Sequence, residues 1–123
     1  MKKLRILVVE DEGPLSFFVS QTLGEEHDVT LSRTAEDALE KFEAGKYDLI
    51  ITDIKLPGMS GLELLAKIQM QDPDIKSIVV TAYDSFETRE KVKSLNADAF
   101  IAKPFTVQTL RETIKKIFKK TET

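Results

Sequence analysis

Five short strand-like runs, at residues 4–9, 28–32, 49–53, 78–81 and 99–102, alternate with five stretches whose apolar residues recur at helical spacing. This alternation constrains the fold more than any single motif. Strands separated by helices of that length form right-handed βαβ units, and such units build a parallel sheet with helices on both faces. The third run shows the consequence most clearly. Leu49, Ile50 and Ile51 are apolar without alternation, as suits a central strand covered on both sides. The run ends at Asp53, and in an open α/β sheet the ligand crevice lies outside the carboxyl ends of the strands.

The helical stretches carry their own punctuation. Pro14 suits a first helical position, Leu15, Phe18, Val19 and Leu23 form an inward stripe, and Gly24 ends it. Thr34 is an N-cap for a helix that turns Ala35, Ala38, Leu39 and Phe42 inward and stops at Gly45. Leu62, Leu65, Ala66 and Ile68 mark the third helix, with Pro73 beyond its end. Asp84 and Glu87 resemble a capping box for a fourth helix with Val92 and Leu95, and Asn96 suits its left-handed end. Leu110, Ile114, Ile117 and Phe118 share one face of the last helix.

With 123 residues the chain reads as one domain over residues 1–123. There is no cysteine, which excludes disulfides and thiolate metal sites and fits a reducing compartment. No apolar run approaches the roughly 20 residues of a membrane span, and Met1-Lys2-Lys3 leads into a strand rather than a signal core. A cytoplasmic protein without membrane contact is the expectation. A net charge of -3 spread along the chain gives no footprint for nucleic acid. Lys115, Lys116, Lys119 and Lys120 read as a solvated helix face, His27 as a surface residue rather than a ligand or phosphodonor, and Thr121-Glu122-Thr123 as a disordered end.

The strand ends hold the chemistry: Glu10-Asp11 after the first, Asp53 in the third, Thr81 in the fourth and Lys103 after the fifth. Each has a plainer reading alone, as helix-start acid, loop cap, β-former or surface cation. Their shared position is what argues for a site. In the doubly wound order 2-1-3-4-5 the first and third strands are neighbours, so Glu10, Asp11 and Asp53 converge. Three such carboxylates repel one another unless a cation joins them, and an open all-oxygen site suits Mg²⁺.

The segments VVEDEGP (8–14), IITDIKLPGMSGLELL (50–65), VVTAYD (79–84) and AFIAKPF (99–105) resemble the receiver domains of two-component response regulators over nearly the whole chain. The resemblance implies a flavodoxin-like (βα)5 receiver fold. It implies that Asp53 accepts a phosphoryl group from a histidine of a sensor kinase or phosphotransfer protein. Asp11 and Asp53 would ligate Mg²⁺, or Mn²⁺ in its place, with Glu10 acting through water and the backbone carbonyl of Lys55 as a further ligand. Lys103 and Thr81 would each engage a phosphoryl oxygen, and Pro104 is a candidate cis proline. Lys103 would pair with Asp53 before phosphorylation. Such a protein is a phosphoacceptor that assists its own phosphorylation and dephosphorylation and has no separate substrate.

In the resembling proteins an aromatic on the fifth strand follows the threonine inward, and Phe100 matches it without a tyrosine's phenol. The output face would be the fourth helix, fifth strand and fifth helix. Lys55 and Tyr83 flank the line of water attack on a phosphoaspartate, which implies slow self-dephosphorylation. A stand-alone phosphorelay receiver like that of sporulating bacteria and an excised N-terminal receiver of a transcription regulator both fit, as does a phosphorylation-independent receiver-fold binding module. An aspartyl-phosphate phosphatase fits less well, because Lys55 stands where those enzymes carry a second aspartate. A flavodoxin-like cofactor binder would need a phosphate-cradling loop, where Glu10-Asp11-Glu12 repels phosphate instead.

Overall fold

The computed structural model describes residues 2–119. Its elements run β1 (Arg5–Val9), α1 (Gly13–Gly24), β2 (Asp28–Ser32), α2 (Ala35–Lys41), β3 (Leu49–Asp53), α3 (Gly61–Gln71), β4 (Lys76–Thr81), α4 (Phe86–Ser94), β5 (Ala99–Ala102) and α5 (Val107–Lys119). Every strand pair is parallel, as the alternation implies, and the order is β2-β1-β3-β4-β5, the doubly wound order expected of a receiver. Among the described residues no helix is long and apolar enough to cross a membrane.

Side-chain alternation along the central strands divides the core into two layers. Leu7, Val9, Ile50 and Val79 face α2, α3 and α4, where Ala35, Ala38, Leu64, Leu65, Ile68 and Val92 close over them. Ile6, Val8, Leu49, Ile51, Ile78 and Val80 face α1 and α5, against Val19, Leu23, Leu110 and Ile114. All five residues of β3 are buried, whereas the edge strands β2 and β5 are mostly half-exposed.

Several local expectations change. Phe18 is 45% exposed beside Phe17 at 64%, because the helical period turns Ser16, Val19 and Leu23 inward and leaves Phe18 off that stripe. The cap of α4 is Ser85, whose Oγ accepts the Thr88 N–H at 3.1 Å. Asp84 does not cap; its carboxylate is engaged by Arg89 at 2.5 and 3.0 Å. Helix α2 ends at Lys41, before Gly45, with Phe42 buried in the extended segment that follows. Strand β4 begins two residues early, since Lys76 and Ser77 continue the ladder opposite Leu49 and Ile50.

His27 is not a surface residue. Only 6% exposed, it accepts the Leu4 N–H on Nδ1 at 3.0 Å, while its own backbone N–H reaches the Leu23 carbonyl. A backbone donor just before β1 needs a buried partner, and the imidazole supplies it. Thr34 does cap α2, accepting the Asp37 N–H at 3.0 Å, and Asn96 does take the left-handed conformation with φ 57°. Lys115, Lys116 and Lys119 are exposed; Lys120 and the expected disorder of Thr121, Glu122 and Thr123 lie outside the described residues.

Candidate functional site at the carboxyl ends of the strands

Parallel pairing of β1 with β3 sets Val9 opposite Thr52, so Glu10 and Asp53 leave the sheet side by side. Carboxylate oxygens of Glu10, Asp11 and Asp53 lie within 4.8 Å of one another. Glu10 is 3% exposed and Asp53 6%, so both acids are held in a poorly solvated setting. Lys103 reaches them from the end of β5. Its Nζ stands 2.6 Å from Asp53 Oδ2 and 2.7 Å from Glu10 Oε1, and its backbone N–H is held by the Thr81 carbonyl at 2.9 Å. The Lys103–Pro104 peptide bond is cis.

The electrostatics follow from this packing. Burial pushes the Glu10 carboxyl above its ordinary pKa, against the opposing pull of Lys103 and of the Glu12 N–H. Burial alone would lower Lys103, but Asp53 and Glu10 outweigh it and raise its pKa. Three carboxylates against one ammonium leave two negative charges, the deficit a divalent cation fills. The all-oxygen donor set, gathered at the ends of two neighbouring strands, fits Mg²⁺ and offers nothing to softer metals.

Thr81 is fully buried at the end of β4, one residue beyond the Asp53–Val80 pairing, and its Oγ1 accepts the Tyr83 N–H at 3.1 Å. Tyr83 itself is 54% exposed, and the Lys55 ammonium lies 4.8 Å from its ring centroid. The Lys55 backbone N–H donates to Asp53 Oδ1 at 3.3 Å. Phe100 stands apart from the carboxylates. It is half-buried on the α2–α4 side, with the Arg89 guanidinium 4.5 Å from its ring centroid.

Residues that sequence reasoning passed over also shape the site. A Cβ at Gly61 would meet the Asp53 carbonyl oxygen at 1.7 Å, so only glycine lets α3 begin against the end of β3. Its N–H is fixed by the Ile54 carbonyl at 2.8 Å. Arg33 donates to the Asp11 carbonyl oxygen at 2.7 Å, and Glu36 accepts the Met59 N–H at 2.9 Å. Both contacts cross about 20 residues of sequence, which local patterns do not register.

The sequence matches the response regulator receiver domain family over residues 6–115. The chain belongs to that family. This receiver is 30% identical over 117 residues to sporulation initiation phosphotransferase F of Bacillus subtilis, with 94% of each chain covered. It is 37% identical over 119 residues to the response regulator ArlR of Staphylococcus aureus, covering 94% of this chain and 53% of that one. The receiver thus spans nearly all of the sporulation phosphotransferase and about half the length of ArlR and of other regulators it resembles. Among solved structures, a CheY-like receiver domain protein from Methanospirillum hungatei superposes with a TM-score of 0.91 at 37% identity over 98% of both chains. The BeF3-activated DrrB receiver domain gives 0.89 at 28% identity, over 96% of this receiver and 99% of that chain. The chain is a receiver domain of the two-component response regulators, a family whose members bind Mg²⁺ at an acidic pocket such as that formed by Glu10, Asp11 and Asp53.

Proposed function

We propose that Asp53 is the phosphoacceptor of this receiver and takes its phosphoryl group from a phosphohistidine of a sensor kinase or histidine phosphotransfer protein. The observation that carries this reading is the Lys103 ammonium, 2.6 Å from Asp53 Oδ2 and only 14% exposed. A cation is already stationed where negative charge must accumulate. Asp53 attacks phosphorus with a carboxylate lone pair, an O–P bond forms, and the N–P bond breaks with its electrons returning to the imidazole. The protein's contribution is positioning and charge neutralisation.

Glu10, Asp11, Asp53 and the backbone carbonyl of Lys55 would hold Mg²⁺, or Mn²⁺ in its place, with Glu10 acting through water. When bound, the ion supplies Lewis-acid neutralisation of the phosphoryl oxygens. Lys103 exchanges its Asp53 contact for a phosphoryl oxygen. Thr81, whose oxygen already accepts from Tyr83, keeps its proton to donate to another. A groove of about 390 Å³ lined by Glu12, Leu15, Ala82, Lys103, Pro104 and Phe105 opens beside the site and gives the phosphodonor protein its approach.

Recruitment of Thr81 draws Phe100 inward and alters the α4–β5–α5 face, where a downstream partner or output domain binds. Because Phe100 has no phenol, burial alone discriminates its two positions, and the phosphoryl group selects a minor form that already exists. Lys55 and Tyr83, in cation–π contact over the site, obstruct water and prolong the phosphoaspartate. Lys55→Ala and Tyr83→Ala should each shorten the half-life severalfold, read as loss of phosphorylated mass with time; a rate equal to wild type in both variants removes the shielding role.

The receiver acts on no separate substrate and makes no direct nucleic-acid contact in this reading. Cytoplasmic placement, which the cysteine-free composition suits, belongs to the same proposal. The near-complete coverage of the sporulation phosphotransferase favours a single-domain relay component. The half-length coverage of ArlR favours a receiver joined to an output domain, and a native stop codon after Thr123 separates the two. The deciding experiment is intact mass after incubation with acetyl phosphate and Mg²⁺, beside Asp53→Ala. One added phosphoryl, dependent on metal and absent in the variant, is the expected result; an adduct indifferent to Asp53, or none, overturns the assignment.

A further inference from the structure

We propose that Arg33 and Glu36, on either side of the α2 N-cap Thr34, are a positioning pair that holds the two ligand-bearing loops of the cation site at their working separation. The inference rests on the site described above and adds the residues that set its geometry. Arg33 grips the β1–α1 loop through the Asp11 carbonyl oxygen at 2.7 Å. Glu36 grips the β3–α3 loop, which carries Lys55, through the Met59 N–H at 2.9 Å. Thr34 between them accepts the Asp37 N–H, so Arg33 just before the cap and Glu36 in the first turn are both fixed by one capped helix start.

The loops are shaped to receive these side chains. Gly58 has φ +79°, which strains any residue with a Cβ, and a Cβ there would stand 2.5 Å from the Glu36 carboxylate and push it aside. A Cβ at Gly13 would lie 3.5 Å from the Arg33 guanidinium, so the arginine packs directly over the start of α1. The Met59 N–H, together with the N–H of Glu36 itself, holds the Glu36 carboxyl below its ordinary pKa. Asp11 is rooted in backbone that Arg33 fixes, while Asp53 is rooted in β3. Without the grip, the Asp11 carboxylate is free to drift from its partner.

The two possible effects of Arg33 on a bound cation have opposite signs. As a nearby positive charge it repels a divalent ion, and by Coulomb's law its removal strengthens binding. As a positioning residue it assembles the ligands, and its removal weakens binding. The test is Mn²⁺ titration of the full 123-residue chain, with free Mn²⁺ followed by electron paramagnetic resonance and the fold checked by thermal unfolding in EDTA. Arg33→Ala should weaken Mn²⁺ about tenfold, the lower end of what partners behind a metal ligand are worth. Arg33→Lys, which can still donate to the carbonyl, should recover most of the loss. Glu36→Gln, which can still accept from Met59, should bind like wild type, whereas Glu36→Ala should weaken binding.

Unchanged or tighter Mn²⁺ binding by folded Arg33→Ala overturns the proposal, as does equal behaviour of Glu36→Gln and Glu36→Ala. If wild type binds no Mn²⁺, the cation site fails and this inference fails with it. Wild-type binding that is lost in Asp11→Asn and untouched in Arg33→Ala overturns the positioning pair alone.

Discussion

Lys103 bridges Glu10 and Asp53, with its side chain 14% exposed and the two acids more deeply buried at 4% and 9%. Its truncation leaves two buried carboxylates facing each other without a cation. Lys103→Met should lower the unfolding free energy in EDTA by about 3 kcal/mol, the usual cost of stranding a buried charge. Urea titration measures it, and Mg²⁺ should restore part of the loss. His27 is a second buried ionisable group, and its stabilising role has a definite pH window. Burial lowers its pKa, with Glu26 working in the other direction, so the folded chain binds the proton less readily than the unfolded one. Its contribution is therefore complete above the ordinary value of about 6.5 and is lost as pH falls through the depressed folded value. Protonation of Nδ1 also costs the Leu4 N–H its acceptor. Urea midpoints measured at pH values on either side of that window should fall more steeply with acid for wild type than for His27→Gln. Equal slopes would mean that the imidazole is not the group being titrated.

Helix α4 has the least to hold it in place, since Val92 is its one buried side chain among the described residues. A helix that buries so little depends on its ends. Ser85→Ala should cost about 1 kcal/mol and raise amide exchange across α4, whereas Asp84→Ala should leave the cap intact and release Arg89 from its ion pair. The opposite ranking would return the cap to Asp84. This distinction was beyond the reach of local reading: Asp84 with Glu87 and Ser85 with Thr88 have the same spacing, and only the backbone direction at residue 85 decides between them. The same limit applies to Phe18, where the buried stripe keeps Val19 and Leu23 but takes in Ser16, exposing an aromatic that helical spacing alone had turned inward. By contrast β2, β3 and β5 fall where hydrophobicity and turn residues place them, because strand ends in this fold are marked by polar residues on both sides.

At the scale of the whole molecule, the two core layers make the sheet a rigid frame, and the site is a set of loops at one of its ends. A cation that binds only the folded chain should stabilise that frame by about 2.7 kcal/mol at a hundred times its dissociation constant. Thermal unfolding with and without Mg²⁺ measures the shift, and Asp11→Asn should abolish it. A shift that survives the substitution places the ion elsewhere.

The strand–helix alternation and the polar strand ends at Glu10-Asp11, Asp53, Thr81 and Lys103 were determined by sequence, while the β2-β1-β3-β4-β5 order and the meeting of these groups were expected from the resemblance to receiver domains and are seen in the fold. Apolar periodicity and strand-end polarity are local quantities, and the right-handed crossover leaves few ways to connect them. Only the tertiary structure decided that His27 is buried against Leu4, that Gly61 must be glycine, and that Arg33 and Glu36 reach across to the site loops. Each of those facts depends on which backbone atom of a distant segment comes within hydrogen-bond or van der Waals reach, a distance that no pattern along the chain encodes.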